Sequence, residues 1–218
     1  MARLKLAVLI SGRGSNLQAL IDACRDAAYP AEIVLVISNE ADALGLERAK
    51  AAGIPTRVVP HRDFPDRPAF ETALTAAIET SGAGLVCLAG FMRMLTDGFA
   101  NRWRDKLVNI HPSLLPAFKG LDTHARAIAA GVRIAGCTVH FVRPAMDEGP
   151  IIAQAAVPVL PGDDAAILAA RVLAQEHVIF PVAVRLIAEG RVKVVGERAE
   201  IAGVSAHRGA LVNPAPDG

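Results

Sequence analysis

Short apolar runs alternate with helical patterns through the first half of this sequence. Most of these runs are apolar at nearly every position, which is typical of a parallel strand buried on both faces. Between the first two runs, Leu17, Leu20 and Ile21 recur at helical spacing and indicate one buried helix face. The predicted strands span residues 4–10, 33–37, 56–59, 85–89 and 107–110. This alternation predicts an α/β doubly wound fold, with helices on both faces of a mostly parallel sheet.

The second half of the sequence predicts an antiparallel extension of that sheet. Apolar runs at 137–142 and 151–159 flank a loop with proline and glycine, so we expect them to pair as antiparallel strands. A long helix over 165–188 carries Pro181, which we expect to kink or split it, and a strand is expected over 191–195. We expect a single domain over 1–218, with a phosphate-binding half at 1–110, a catalytic half at 111–195 and a tail at 196–218.

Composition limits the class of protein further. Hydrophobic residues make up 52% of the 218 positions and the formal net charge is +1, so we expect a packed core and no basic surface for nucleic acid. Three widely spaced cysteines argue against a disulfide framework and for a reducing compartment, the cytoplasm. We find no apolar stretch near the ~20 residues of a membrane span, so no membrane partner is expected.

The loop after the first strand reads Ser-Gly-Arg-Gly-Ser-Asn-Leu-Gln over residues 11–18. Its glycines allow a tight turn, and the following helix points free N–H groups at any anion bound there. Ser15 and Gln18 fit a capping box at the start of that helix. Leu17 replaces the third glycine of the dinucleotide fingerprint, so the predicted ligand is a single phosphate; an ordinary capped turn is the alternative. The candidate phosphate-binding residues are Arg13, Gly14, Ser15 and Asn16.

Asn109 and His111 lie two residues apart in the fifth predicted strand. Strand geometry places both side chains on one face, at the carboxyl end where open α/β sheets bind ligands. An asparagine amide can donate to an oxyanion, and histidine can donate to it or move a proton. The pair therefore suits chemistry at an acyl carbon, although His111 could instead merely bond the backbone of the next loop.

Two carboxylates are further candidates. Asp147 follows the strand that carries His140 and could orient a histidine, although a simple turn residue is the alternative interpretation. Glu176 stands among apolar neighbours in the predicted long helix, where a carboxylate needs a partner, a raised pKa or a ligand. A buried pair with Arg171 or Arg185 is the structural alternative for Glu176.

The segment Gly-Phe-Met-Arg-Met-Leu at residues 90–95 follows the fourth predicted strand. It could line a flat apolar pocket whose main-chain groups face an aromatic heterocycle, with core packing as the alternative. His111, His140 and Asp147 could also be considered as metal ligands. Because no His-Glu-x-x-His motif or cysteine-pair spacing accompanies them, we predict no metal site.

Five segments together resemble the glycinamide ribonucleotide formyltransferase family, folate-dependent enzymes of de novo purine synthesis. They span residues 11–18, 88–93, 109–116, 147–150 and 175–177, and the resemblance covers about residues 5–190. The Asn-Ile-His-Pro-Ser-Leu-Leu-Pro segment at 109–116 indicates a formyl-group enzyme that uses 10-formyltetrahydrofolate. Methionyl-tRNA formyltransferase and formyltetrahydrofolate deformylase share much of it, but their first loops differ and we expect no room here for their extra domains. The deformylase remains the alternative function.

The resemblance implies a catalytic role for Asn109, His111 and Asp147. In this family the ribonucleotide amine attacks the formyl carbon of the folate, and negative charge develops on the formyl oxygen. Asn109 and a protonated His111 are expected to stabilise that oxygen, while Asp147 holds His111 and helps proton transfer. His140 and His124 match residues next to this site, and Asp122, which departs from the family pattern, carries less weight than His124.

The resemblance also implies two substrate sites. Gly14, Ser15 and Asn16 match the loop that binds the ribonucleotide phosphate, and Glu176 matches the residue that binds the ribose hydroxyls. The matching folate-pocket residues are Arg67, Met92, Arg93, Met94, Leu95, Asn109, Val142 and Asp147. We expect both partners to be small molecules, 10-formyltetrahydrofolate to be a cosubstrate rather than a tightly bound cofactor, and the chain to be a monomer or a homodimer.

Overall fold

A seven-stranded sheet forms the centre of the computed structural model, which describes residues 2–203 and 209–214. Its strands are β1 (Leu4–Ile10), β2 (Ala31–Ser38), β3 (Thr56–Val58), β4 (Leu85–Leu88), β5 (Leu107–His111), β6 (Ile134–Phe141) and β7 (Ile151–Pro158). The strand order is β3-β2-β1-β4-β5-β6-β7. Strands β1 to β5 run parallel, whereas β6 and β7 are antiparallel to their neighbours. The predicted mostly parallel sheet with an antiparallel extension is confirmed.

Helices cover both faces of this sheet. They are α1 (Ser15–Cys24), α2 (Leu44–Ala51), α3 (Arg67–Ser81), α4 (Asp97–Arg102), α5 (Thr123–Ala129) and α6 (Ala165–Ala188), with a short 3-10 turn at His61–Asp63. One buried cluster joins α1, α2, α5 and α6 to the sheet, and a second joins α3 and α4 to the opposite face. Successive residues of β5 contribute to opposite faces: Val108 belongs to the first cluster and Leu107 to the second. This is the expected doubly wound arrangement.

The carboxyl ends of β1, β4 and β5 lie side by side at one edge of the sheet. These three strands are neighbours in the sheet and run parallel. The loops that follow them, at residues 11–14, 89–96 and 112–122, therefore leave from the same edge. Open α/β sheets bind their ligands at this edge, outside the strands. The fold thus brings three of the predicted site segments together.

Helix α6 continues through Pro181 to Ala188. From the sequence, Pro181 is expected to kink or split the helix, and the split does not occur. Phe180, Ala183 and Val184 are fully buried on either side of the proline, so tertiary packing holds both turns in place. The Tyr29 hydroxyl donates to the Pro181 carbonyl at 2.7 Å and adds a contact from outside the helix.

Helix α6 is also long and apolar enough to cross a membrane by length and composition alone. The expectation from sequence that no stretch approaches the length of a membrane span is therefore wrong for residues 165–188. Glu176 lies within the helix, and Leu168, Val172 and Phe180 pack into the buried cluster on the sheet. The core helix of a globular domain passes the same test.

A separate hairpin, β8 (Val192–Val195) with β9 (Arg198–Ile201), follows α6. The sequence predicts β8 but not β9, because residues 198–201 form a segment of only four residues without an apolar run and fall in the predicted tail. Val195 and Arg198 pair across a turn in which Gly196 has a positive φ of 60°. Residues 204–208 and 215–218 of that tail lie outside the described residues.

All three cysteines are free thiols, as the sequence predicts. Burial raises the pKa of Cys24 to about 11 and that of Cys137 to about 12, and it raises the pKa of Cys87 strongly. Thiolates are the reactive form of cysteine, so these thiols are poor nucleophiles at neutral pH.

Candidate active site

The loop between β1 and α1 approaches the start of α2 closely. Gly14 has a left-handed φ of 67°, and a Cβ added there would lie 2.5 Å from the Gly45 Cα. The Gly45 N–H donates to the Gly12 carbonyl at 3.0 Å, and Arg48 Nε donates to the Arg13 carbonyl at 2.9 Å. A residue with a side chain at position 14 is therefore excluded by both conformation and space.

Helix α1 begins at Ser15, as expected, but without the predicted capping box. Gly14 occupies the N-cap position and no side chain caps the helix. The Gln18 side chain donates to Asp22 at 3.0 Å instead of reaching back to the helix start. The first N–H groups of α1 are consequently left for a ligand, which is what a phosphate site needs.

Asn16 and Glu176 form a buried pair beside this loop. Asn16 Nδ2 donates to Glu176 Oε2 at 2.6 Å, and the two residues are 8% and 6% exposed. Burial raises the pKa of Glu176, and the hydrogen bond from Asn16 opposes that shift. The structure thus places Glu176 next to the predicted phosphate loop, 160 positions away in sequence.

The alternative for Glu176, a buried pair with Arg171 or Arg185, is not seen among the residues that the structure describes. Arg171 instead binds Asp163, and Arg185 lies over the Tyr29 ring. Asn16 Oδ1 is buried and, among the described residues, has no hydrogen-bond partner. A buried polar atom of this kind is expected to bind a ligand or water.

His140 fixes the amide of Asn109. Asn109 Nδ2 lies 3.3 Å from His140 Nε2, while His140 Nδ1 lies 2.9 Å from the Phe141 carbonyl. A carbonyl only accepts, so Nδ1 carries the hydrogen and Nε2 accepts from Asn109. Burial lowers the pKa of His140, which keeps the imidazole neutral. The second N–H of the Asn109 amide is then left to donate elsewhere.

Asp147 lies beside His111. Its Oδ2 atom is 3.5 Å from His111 Nδ1 and accepts the Gly120 N–H at 2.7 Å. His111 Nε2 lies 3.2 Å from the Phe118 carbonyl. Both ring nitrogens therefore face acceptors, an arrangement that a protonated imidazole satisfies with two donors. The turn interpretation of Asp147 holds for its backbone, with a φ of 51°, and the side chain reaches a histidine as well.

The loop that carries Asp147 returns closely to the end of β6. Gly149 has a φ of 123°, and a Cβ there would lie 2.1 Å from the Phe141 carbonyl oxygen. This contact fixes the distance between the loop and the strand that carries His140. His124, at the start of α5, completes the group of histidines: burial lowers its pKa first, and the nearby His111 lowers it further.

The segment 90–95 exposes its main chain at the same edge of the sheet. Among the described residues, the main chain of this segment makes one hydrogen bond, from the Met92 N–H to Ser11 Oγ at 2.7 Å. The remaining N–H and carbonyl groups of the segment are thus available to a flat heterocycle. Leu95 and Val142 pack partly against the buried cluster beneath it.

A cavity of about 190 Å³ lies next to this segment. Arg67, Arg93 and Met94, all predicted site residues, line it. The sequence misses His61, Phe64 and Phe70, which also line it and whose rings meet edge to face. The one sequence feature that could have indicated them is the presence of aromatic residues on both sides of the predicted start of the helix at Pro68. Among the described residues, no three His, Cys, Asp or Glu side chains are arranged to hold a metal ion.

Gly45 and Arg48 are also missed by sequence reasoning. Both lie in α2, away from any recognised motif, yet they hold the carbonyls of Gly12 and Arg13. The available signal is a glycine in the first turn of a helix, since glycine lowers helix stability and usually marks close packing there.

Comparison with known proteins assigns this chain to a family. A family model described as formyl transferase matches residues 4–184. That match covers well over half of the chain, so the chain belongs to the formyl transferase family.

Within this family, the chain is similar to phosphoribosylglycinamide formyltransferases. It is 43% identical over 209 residues to the enzyme of that name from Haemophilus influenzae, which covers 96% of this chain and 99% of that protein. The crystal structure of glycinamide ribonucleotide transformylase 1 from Symbiobacterium toebii superposes with a TM-score of 0.89 at 49% identity, covering 91% of this chain and 94% of that one.

Longer relatives and a hydrolase match as well. The chain is 54% identical over 197 residues to the trifunctional purine biosynthetic protein adenosine-3 of Drosophila pseudoobscura pseudoobscura, covering 89% of this chain but only 14% of that protein. The formyltetrahydrofolate deformylase of Burkholderia mallei superposes with a TM-score of 0.83 at 32% identity, covering 92% of this chain and 70% of that one.

Proposed function

We propose that the chain transfers the formyl group of 10-formyltetrahydrofolate to the amine of glycinamide ribonucleotide. The products are formylglycinamide ribonucleotide and tetrahydrofolate, a step of purine biosynthesis. The observation that carries this proposal is the meeting, at one sheet edge, of an oxyanion-type cluster and an anion-binding loop. Asn109, His111 and Asp147 form the cluster, and the loop at 11–16 forms the anion site.

The ribonucleotide fits the side of the site formed by α1 and α6. Free N–H groups at the start of α1, from Gly14, Ser15 and Asn16, suit its phosphate, and Arg13 adds a positive charge at the rim. The Glu176 carboxylate and the unpartnered Asn16 Oδ1 are acceptors for ribose hydroxyls. Phosphate recognition and ribose recognition thus meet at Asn16.

The folate fits the side formed by the segment 90–95 and the loop that begins at Val142. The unpaired main-chain groups of the segment can bond a heterocycle, and Met92, Met94 and Leu95 supply apolar contact. Arg67 and Arg93 line the adjoining cavity and suit the carboxylates of a folate tail. We assign 10-formyltetrahydrofolate as a cosubstrate that leaves after each turnover.

The reaction forms one C–N bond and breaks another at the formyl carbon. The ribonucleotide amine attacks this carbon, its carbonyl oxygen takes the negative charge, and N10 of the folate leaves and takes up a proton. The free N–H of Asn109 donates to the oxyanion, and His111 Nε2–H donates to it in place of the Phe118 carbonyl that it faces in the unliganded chain. Asp147 balances the charge on His111 and relays the proton that the attacking amine loses to the departing N10, directly or through water, so that it is a carboxylate again after each turnover.

The two halves of the chain share both substrate sites. We propose a phosphate-binding half at 1–110 and a folate-binding, catalytic half at 111–195. Glu176 reaches from the second half to Asn16 in the first, and Arg93 of the first half lines the folate side. We further propose that the protein acts in the cytoplasm on two small molecules, as a monomer or a homodimer.

The second candidate is hydrolysis of formyltetrahydrofolate to formate. The structural likeness to a formyltetrahydrofolate deformylase favours it, because the same formyl-binding cluster can accept water as nucleophile. The Asn16–Glu176 pair speaks for the transferase, since hydrolysis needs no ribose or phosphate site.

A spectroscopic assay of 10-formyltetrahydrofolate consumption separates these functions. With the purified chain, we expect rapid consumption only after glycinamide ribonucleotide is added. Consumption at the same rate without the ribonucleotide, with release of formate, would establish the hydrolase instead. No consumption under either condition would exclude both.

A further inference from the structure

Ser11 joins the two loops that the proposed function assigns to different substrates. It is the first residue after β1 and opens the phosphate loop. Its Oγ atom accepts the Met92 N–H of the folate segment at 2.7 Å and donates to Asn39 Oδ1 at 2.5 Å. No matched motif assigns a role to this hydroxyl.

The direction of this hydrogen-bond chain is fixed by Asn39. The Asn39 side chain is buried, its Nδ2 group donates to Glu40 at 3.1 Å, and the same group faces His61 Nδ1 at 3.3 Å. Its Oδ1 atom is therefore the acceptor for the Ser11 hydroxyl, and the Ser11 lone pairs remain for the Met92 N–H. One polar network thus connects both loops with His61, which lines the cavity beside Arg93.

The folate segment depends on this bond more than the phosphate loop does. The phosphate loop is held independently, by Gly45 on the Gly12 carbonyl and Arg48 on the Arg13 carbonyl. The segment is held at its ends, where Ala89 donates to Leu9 and Thr96 donates to Glu71. Between those ends, within the described residues, Ser11 supplies the hydrogen-bond partner of its main chain.

We propose that Ser11 is a positioning residue: its hydroxyl fixes the position of the Met92 backbone relative to the carboxyl end of β1. The affinity of the chain for the folate depends on that position. It acts through Met92 and contacts neither reacting atom. This inference rests on the proposed function in assigning the segment 90–95 to the folate.

Ser11→Ala removes the acceptor for Met92 and leaves Asn39 Oδ1 unpaired. We expect KM for 10-formyltetrahydrofolate to rise about threefold to tenfold, the range for loss of a single hydrogen bond. KM for glycinamide ribonucleotide and kcat are expected to stay within about twofold, because ground-state positioning of one substrate is affected. Ser11→Thr keeps the hydroxyl and is expected to restore most of the folate affinity.

The matched control is Ser81→Ala at the end of α3. Ser81 also donates one hydrogen bond, to the Ile78 carbonyl at 2.6 Å, and accepts another, from the Ala83 N–H at 3.3 Å. It lies just before the amino end of β4, at the opposite edge of the sheet. We expect both KM values to be unchanged in this variant.

Calorimetric titration with tetrahydrofolate gives a readout that needs no turnover. Its Kd is expected to rise in Ser11→Ala by the same factor as the folate KM, and to recover in Ser11→Thr. An unchanged Kd, or a parallel rise of Kd for both tetrahydrofolate and glycinamide ribonucleotide, would overturn the role of Ser11. Failure of the unaltered chain to consume 10-formyltetrahydrofolate would instead overturn the proposed function, while the tetrahydrofolate Kd would still decide the role of Ser11.

Discussion

Single residues in this site work in pairs, in which one side chain fixes the orientation of another. His140 directs the amide of Asn109, Asp147 faces the imidazole of His111, and Asn16 donates to Glu176. Each partner removes a competing orientation before the substrate arrives. Catalysis by hydrogen-bond donors depends on such preorganisation, because donors that must reorient lose much of their effect.

Removing either oxyanion donor should slow chemistry while leaving the fold intact. We expect Asn109→Ala and His111→Ala each to lower kcat by a factor on the order of 10² or more, the cost of one such donor. Steady-state kinetics with both substrates saturating, together with a melting curve, measures this. Asn101→Ala, an exposed asparagine on α4, is the control and should retain full kcat. Normal turnover by either site variant would refute its assigned role.

Glu176 should determine ribonucleotide affinity. In Glu176→Gln a charged acceptor becomes a neutral amide, and we expect KM for glycinamide ribonucleotide to rise roughly tenfold or more, as for hydrogen bonds to charged groups. KM for the folate should not change. Glu200→Gln, on the exposed side of β9, serves as the matched control. An unaltered ribonucleotide KM would return Glu176 to a purely structural role.

The same residue should make stability depend on pH. Because burial raises the pKa of Glu176 in the folded protein above its unfolded value, the folded state binds the proton more tightly. The free energy of unfolding should therefore fall as pH rises through the ordinary carboxyl range up to the raised pKa. Urea unfolding of the unliganded chain and of Glu176→Gln at pH 4 and pH 8 tests this: the variant should gain stability relative to the parent at pH 8. Equal differences at both pH values would contradict it.

At the scale of elements, short contacts between distant segments hold the loops of the site. Glu71 on α3 accepts from Thr96 at the start of α4, and Gly45 on α2 donates to the phosphate loop. The hairpin β8–β9 is fixed in the same way: Arg143, nearly buried after β6, binds Asp105 and Glu197, and Glu197 also binds Arg104. These contacts decide where each loop lies once the sheet has formed.

Arg143→Met should loosen this hairpin without disturbing the main sheet. The substitution keeps an aliphatic stem and removes the ion pairs to Asp105 and Glu197. We expect amide hydrogen exchange in Val192–Val195 and Arg198–Ile201 to accelerate about threefold to tenfold, as for local opening of a less stable unit. Arg198→Met, an exposed arginine on β9, is the control and should leave exchange unchanged. Equal exchange rates in both variants would show that Arg143 does not hold the hairpin.

The helices and strands of this fold can be predicted from sequence where the local pattern of apolar residues determines the structure. Apolar runs mark β1, β2, β4 and β5, and the two-residue spacing of Asn109 and His111 places both at a strand end. The prediction fails where a longer-range contact decides. Gly14 displaces the Ser15 cap because the loop must approach Gly45, and burial of Phe180 and Val184 keeps α6 continuous past Pro181.

Hydrogen-bond partners that are far apart in the sequence cannot be predicted from local sequence patterns. Glu176 reads as a candidate because its helical neighbours are apolar, yet nothing local indicates Asn16 rather than Arg171 or Arg185. The strand β9 has no apolar run, and the bond from Met92 to Ser11 joins two loops 81 positions apart. Such contacts follow from the assembled sheet and become visible only with coordinates.

At the scale of the whole molecule, the doubly wound sheet brings two substrate sites to one edge. The proposed phosphate loop follows β1, the proposed folate segment follows β4, and Asn109 and His111 lie at the end of β5. These three strands are parallel neighbours in the sheet. Neighbouring strands lie about 4.8 Å apart, so under the proposed function the ribonucleotide and the folate bind next to each other at this edge. The central claim is therefore direct transfer between two molecules held side by side.

Tracing the formyl carbon tests this claim most directly. The purified chain is mixed with 10-formyltetrahydrofolate labelled with ¹³C in the formyl group and with glycinamide ribonucleotide, and the products are followed by NMR. We predict that the label appears on the ribonucleotide amine as an amide carbon, in an amount equal to the tetrahydrofolate formed. Label recovered as free formate would contradict the account.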